Sequence, residues 1–199
     1  MDFPHRKNLR GLGLTDWEGY SSALAEKFDY INTYFDQEPR LDISATEIPP
    51  ERHSAYDFII SSEVFEHVVA PVERAFQNVI TMLKPGGVFI LTVPYGLQSE
   101  TIEHFPELHD FSIVEHGGQF ELHNITKTGV KQSFKELVFH GGPGSTLEMR
   151  VFAQSDLLRH LTGAGFENIT TYATPDFSHG IWWPEPWSWP ITSRKPNQH

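Results

Sequence analysis

Residues 56–95 read YDFIISSEVFEHVVAPVERAFQNVITMLKPGGVFILTVPY, and the order of apolar runs in this stretch decides the fold. Tyr56 to Ser62 is a short apolar run centred on Phe58-Ile59-Ile60, a length that fits a buried strand. Pro71 suits the first turn of a following helix, where its missing N–H costs nothing. Val72, Ala75, Phe76, Val79, Ile80 and Leu83 recur at three- and four-residue steps, one apolar stripe of a 3.6-residue period. Pro85-Gly86-Gly87 stops the stripe. Val88 to Val93 is a second apolar run, rich in β-branched residues. Strand, crossover helix and strand, neither strand alternating, predict two parallel strands buried on both faces. Such a sheet holds ligands beyond the carboxyl ends of its strands. Ser61, Ser62, Glu63, Pro94 and Tyr95 belong to that rim.

The same residues carry a resemblance. Asp57 at the start of the strand, Glu63-Val64-Phe65-Glu66-His67-Val68 after it, Met82-Leu83-Lys84-Pro85-Gly86-Gly87 and the run VFILTVP resemble class I S-adenosylmethionine-dependent methyltransferases. The Glu-His-Val and Leu-Lys-Pro-Gly-Gly elements, 16 residues apart from His67 to Leu83, carry it together. The resemblance is strongest over residues 56–95 and extends more loosely along the chain. It implies a Rossmann-like α/β fold of the seven-strand type, with a mostly parallel sheet, helices on both faces and an insertion after the fifth strand. It implies S-adenosylmethionine as cofactor and methyl transfer as the reaction.

Composition sets outer bounds. A chain of 199 residues suggests a single domain, 1–199, with a full core. Apolar content of 39% against 21% charged predicts folding rather than disorder. A net charge of −11 argues against binding nucleic acid or anionic membrane through phosphates. With no cysteine there are no disulfides or thiolate metal sites. No run reaches the ~18 apolar residues of a membrane span. The stretch MDFPHRKNLRG lacks the apolar centre of a signal peptide. The expectation is a cytoplasmic protein.

Along the chain, Asn8 to Leu14 reads as a strand with two glycines, and Thr15 or Asp16 as the cap of a helix faced by Tyr20, Ala23, Leu24 and Phe28. This is either a first ligand-binding β-loop-α unit or an ordinary strand and tight turn. The usual methyltransferase loop, an acid followed by Gly-x-Gly-x-Gly, is absent; Gly11-Leu12-Gly13-Leu14-Thr15-Asp16 is a degenerate version. Asp29 to Phe35 reads as the next strand. Asp36, 23 residues past Gly13, stands about where Rossmann-like folds put a ribose-binding acid. Too few residues separate Asp36 from a short strand at Arg40–Ile43 for the usual intervening helix. In an alternative register Gly11 to Asp16 is the second strand and Asp16 the ribose acid. Gly96 to Arg150 reads as an insertion (96–150) of short strands over the rim. Ser155 reads as the cap of a helix, followed by a strand at Phe166–Tyr172 and a last strand that runs from Trp187 through Trp189 and Ile191 and ends at Ser193-Arg194-Lys195-Pro196.

The resemblance implies roles for particular residues. Gly11, Gly13 and Thr15, with Asp16, would shape the methionine and ribose side, and Asp36 would hold the ribose hydroxyls. Asp42 and Ile43 would flank adenine; Ser62 and Glu63 would line the methionine end. His67, near the substrate entrance, is the candidate catalytic residue: either a general base, since its pKa lies near 7, or a brace of the rim. His104, His109, His116 and His123 lack the spacing of a metal site and read as polar surface, so no metal is expected. The tryptophans 182, 183, 187 and 189 would stack on a planar or sugar substrate or cover a sheet edge. The implied activity is methyl transfer to a small-molecule or glycan-linked acceptor. The alternative is a non-catalytic methyltransferase-like domain serving as a binding or interaction module.

Overall fold

The computed structural model describes residues 4–197, so Met1 to Phe3 of the N-terminal stretch lie outside it. The chain runs β1 (Arg6–Leu14), α1 (Glu18–Lys27), β2 (Phe28–Thr33), β3 (Tyr56–Ser62), α2 (Glu73–Met82) and β4 (Leu83–Thr92). Later come α3 (Gln154–Gly163), β5 (Glu167–Thr171) and β6 (Ile191–Arg194). These strands form one sheet in the order β5-β6-β4-β3-β1-β2. β3 lies parallel between β1 and β4, β1 lies parallel to β2, and β6 is antiparallel to both its neighbours.

Why the chain builds this sheet follows from its apolar periods. Leu12, Ile59 and Phe89 sit side by side on one face and are wholly buried. Against them pack Val72, Ala75, Phe76 and Val79 from α2 and its first turn, and Leu157 and Leu161 from α3. The connection through α1 steps from β1 outward to β2, whereas that through α2 steps from β3 toward β4. Right-handed crossovers in opposite directions put α1 on the other face. That face is more open: Phe58, Ile60, Val88 and Ile90 are only half-buried.

Three expectations need correction. The sheet has six strands among the described residues, not seven, and is parallel apart from β6. Arg40–Ile43 makes one parallel bridge, Tyr34 with Arg40, and no strand. Pro39 has no N–H to offer a ladder, and the Asp42 carboxylate accepts from the N–H and hydroxyl of Ser44 at 2.8 and 2.6 Å, turning the chain away. Second, β4 begins at Leu83. Lys84 precedes a proline and is pushed to extended backbone, so Pro85-Gly86-Gly87 forms an irregularity inside the strand, with Gly86 at φ 76°. Third, the last strand begins at Ile191, after the tryptophans.

The segment between Gly96 and Arg150 builds smaller sheets, chiefly an antiparallel one of Asp110–His116, Gln119–Ile125 and Lys131–Phe134. A second apolar cluster of Phe105, Leu122, Leu147 and Met149 supports it. No helix among the described residues is long and apolar enough to cross a membrane.

At the start of β3, Asp57 ties three strands. Its Oδ2 accepts from the Arg10 N–H of β1 at 2.7 Å and from the Lys84 ammonium of β4 at 2.6 Å. Partial burial pushes the carboxyl up, but Lys84 and the Arg10 N–H outweigh it and hold it below the ordinary 3.8.

Two outcomes test this packing. Phe76, fully buried with its ring 4.5 Å from that of Phe65, should cost ~3–5 kcal/mol as Phe76→Ala in urea denaturation. Glu73→Ala on the outer side of α2 should stay within about 0.5 kcal/mol of the parent. For Asp57 the folded pKa is depressed, so its stabilisation is present above the ordinary value and is lost as pH falls through the lowered one. The melting-temperature gap between parent and Asp57→Asn should therefore shrink between about pH 5 and pH 2; a gap constant across that range would refute the ion-pair assignment.

Candidate active site

Parallel pairing sets the carboxyl ends of β1, β2 and β3 on one edge, with Leu14 opposite Thr33 on one side and Ser61 on the other. The chain leaves β1 through Thr15 and β3 through Glu63, both left-handed at φ 57° and 54°. Such backbone costs a non-glycine residue on the order of 1–2 kcal/mol. Hydrogen bonds hold each in place: Thr15 N–H donates to Thr33 O at 2.7 Å, and Glu63 N–H to Thr92 O at 2.9 Å.

Above this edge lies a cavity of about 760 Å³, within the roughly 300–1,000 Å³ of pockets that enclose small ligands. Thr15, Asp36, Asp42, Ile43, Glu63 and His67, all singled out in the sequence, line it together. Phe35, Leu41, Val68, Val69, Leu147 and Met149 give it apolar walls.

Four other residues singled out in the sequence stand outside the cavity lining. Gly11 and Gly13 lie inside β1, below the cavity. A Cβ at Gly11 would run into the Phe58 ring, and one at Gly13 into the Tyr30 hydroxyl, so these glycines make room for aromatic rings on the sheet face. Asp16 is buried and turned away from the cavity. Its carboxylate accepts from the Tyr20 hydroxyl at 2.7 Å and from the Tyr30 hydroxyl, and its backbone N–H donates to Asn32 Oδ1 at 2.9 Å. Burial pushes its carboxyl up, against the two tyrosine hydrogen bonds. It therefore does not cap α1, whose N-cap is Trp17 with no side-chain cap. Ser62 Oγ pairs with Thr92 Oγ1 at 2.9 Å, away from the cavity lining. Trp182, Trp183, Trp187 and Trp189 lie away from the cavity; Trp189 N–H donates to the Tyr95 hydroxyl at 3.0 Å.

The wall around His67 holds residues that sequence spacing did not single out. Its Nδ1 lies 2.8 Å from the Leu147 carbonyl. A carbonyl only accepts, so Nδ1 carries the proton and Nε2 presents a lone pair. That Nε2 is 3.5 Å from Glu66 Oε1, and His140 Nδ1 is 3.8 Å from the same oxygen. His140 Nε2 stands 2.8 Å from Glu148, which also accepts from His104 at 2.8 Å. Glu66 is 0% exposed, and neither carboxylate oxygen has a hydrogen-bond partner among the described residues. Burial, with Glu63 and Glu148 nearby, pushes its pKa to about 8. Burial lowers the His67 pKa, keeping the ring neutral near pH 7. His109, His116 and His123 are exposed, as a polar surface requires, but His104 is not part of it. Glu66 and His67 are adjacent in sequence; His140 and Glu148 arrive from a distant loop that no local period announces.

An open, mostly parallel sheet with a ligand-sized cavity at its carboxyl edge defines a Rossmann-like binding domain. A family described as a methyltransferase domain matches residues 18–171, and the chain belongs to it, as a class I S-adenosylmethionine-dependent methyltransferase. Solved structures agree on the fold. An S-adenosylmethionine-dependent methyltransferase from Mesorhizobium loti superposes with a TM-score of 0.56 at 16% identity, over 97% of this chain and 94% of that one. Another from Clostridium acetobutylicum gives 0.52 at 16% identity, over 96% and 87%. The sugar N-methyltransferase KedS8 from Streptoalloteichus sp gives 0.54 at 14% identity, over 95% and 81%. No curated protein matches the chain.

The placement of Asp16 separates structure from binding. Asp16→Ala leaves two half-buried tyrosine hydroxyls without their acceptor and should cost about 1–3 kcal/mol in chemical denaturation. The variant should retain ligand affinity at temperatures where it is folded, which calorimetric titration with S-adenosylhomocysteine measures.

Proposed function

We propose that this cavity binds S-adenosylmethionine against the wall formed by residues 14–44 and methylates a small-molecule or glycan-linked acceptor at the wall formed by Glu63, His67 and His140. The observation that carries the reading is the cavity itself, which gathers Thr15, Asp36, Asp42 and Ile43 on one side and the histidine wall on the other. Asp36 is exposed three residues past β2, free to accept from two ribose hydroxyls. Leu41 and Ile43 are buried and apolar, suited to one face of an adenine ring. Asp42 already accepts twice from Ser44, so its second carboxylate oxygen is the one open to an adenine amino group. Thr15 and Glu63 would flank the methionine end.

Bound there, the cofactor supplies an electrophilic methyl carbon on a sulfonium. The protein's part is largely alignment: the acceptor atom must lie in line with the breaking carbon–sulfur bond. A sugar methyltransferase among the structural neighbours is compatible with a glycan-linked acceptor.

Titration tests the reading. S-adenosylhomocysteine at 100 times its dissociation constant should add ~2.7 kcal/mol, a melting shift of roughly 5–10 °C for a domain of this size. NADH should leave the curve unmoved. Hydrogen bonds to a charged group contribute ~1.5–3 kcal/mol each, so Asp36→Ala should weaken binding by about tenfold to several hundredfold with little change in the melting of the free protein. A flat melting curve up to millimolar S-adenosylhomocysteine rejects the reading.

A further inference from the structure

We propose that Glu66, His67 and His140 bind a divalent first-row metal cation at the acceptor wall of the cavity. The ligand atoms of these three residues lie within 4.8 Å of one another. Ligands about 2.1 Å from a common tetrahedral ion stand roughly 3.4 Å apart, and the two histidine nitrogens already approach Glu66 Oε1 to 3.5 and 3.8 Å.

The hydrogen bonds around the triad prepare it for a cation. His67 spends its proton on the Leu147 carbonyl and keeps Nε2 bare toward Glu66. His140 turns Nε2 to the Glu148 carboxylate, which fixes the proton there and leaves Nδ1 bare toward Glu66. Outer partners that orient metal-bound histidines in this way, carbonyl and carboxylate, are a usual accompaniment of such sites. Glu66 supplies the independent sign. A wholly buried carboxyl group with both oxygens unpartnered is costly, and two lone-pair nitrogens facing it offer no hydrogen. A cation satisfies all three at once.

Two imidazoles and one carboxylate favour Zn²⁺, Fe²⁺ or Co²⁺ over the all-oxygen preferences of Ca²⁺ and Mg²⁺. Three protein ligands leave coordination positions open. His67 and His140 both line the cavity, so an open position faces the acceptor. The cation would then bind an oxygen of the acceptor and make a hydroxyl there more acidic, which selects hydroxylated acceptors. That last clause rests on the methyl-transfer reading; the metal site does not.

The test uses the full chain, dialysed against a chelator and titrated with Co²⁺ without cofactor. One equivalent should bind with a visible absorption band, and Zn²⁺ should displace it. His140 is partly exposed, so His140→Ala should fold, with affinity reduced at least about 100-fold, beyond what loss of an outer partner causes. Glu66→Gln keeps the shape of the buried side chain and should lose the site equally. His116→Ala, on the exposed hairpin, should keep it. Absence of a saturable site at 0.1 mM Co²⁺, a value on the order of the weakest ordered sites, overturns the inference. Binding by His140→Ala and Glu66→Gln that equals the parent overturns it as well. Separate titrations with S-adenosylhomocysteine keep the two readings apart: cofactor bound without metal sinks this inference alone, and metal bound without cofactor sinks only the methyl-transfer reading.

Discussion

The pairing of β3 on both edges sets the positions of everything else. Parallel hydrogen bonds to β1 and β4 hold it in register from Phe58 to Ser62, and Ile59 is sealed beneath α2. A slip of one residue would turn Ile59 to the more open face and bring Phe58 under the helix. Because the register is fixed, the strands end on a common line, and the turns that leave it must be sharp. Thr15 and Glu63 accept left-handed backbone there, held by hydrogen bonds to β2 and β4. Strained residues at a cavity edge are thus a product of strong pairing below them.

What could be read from the amino-acid order follows from where the forces are local. The strand Tyr56–Ser62 announced itself as a short unbroken apolar run and the stripe Val72 to Leu83 as a 3.6-residue period, although the strand is sealed on one face only, with Phe58 and Ile60 half-buried on the other. Asp36, three residues past β2, was legible as a residue of the edge because strand ends mark it; Asp42 and Ile43 were placed by resemblance and reach the cavity from a loop, not from the expected strand. The glycines misled because a missing Cβ has two uses. Here it admits the Phe58 ring and the Tyr30 hydroxyl, which are brought close by pairing between strands, and spacing along the chain carries no trace of that. Asp16 is similar: a residue type favoured at helix caps was taken instead by Tyr20 and Tyr30. The expected short strand at Arg40–Ile43 failed for want of a donor at Pro39 and through the Asp42–Ser44 turn.

The histidine wall was illegible for a different reason. Glu66 and His67 stand in plain view, but His140 and Glu148 reach them through the second apolar cluster, where Leu147 and Met149 are anchored beside Phe105 and Leu122. Met149 N–H donates to Glu66 O at 2.7 Å, and the buried Arg150 donates to Phe65 O and Val68 O at 3.1 and 2.6 Å. One main-chain bond and the Arg150 guanidinium, all accepted by backbone carbonyls of a distant segment, thus bring the carboxylates and imidazoles together.

The two walls of the cavity come from separate stretches of chain. One is drawn from residues 14–44, on loops that follow β1 and β2. The other joins the turn after β3 to the loop of residues 140–149. A lineage, or an engineer, can therefore exchange the second loop and recast what enters beside His67 while the wall of residues 14–44 stays untouched. Drift in the first wall is tied instead to the strand ends, where any change must still close the turn at Thr15. The wall of residues 140–149 is the half of this cavity with freedom to diversify.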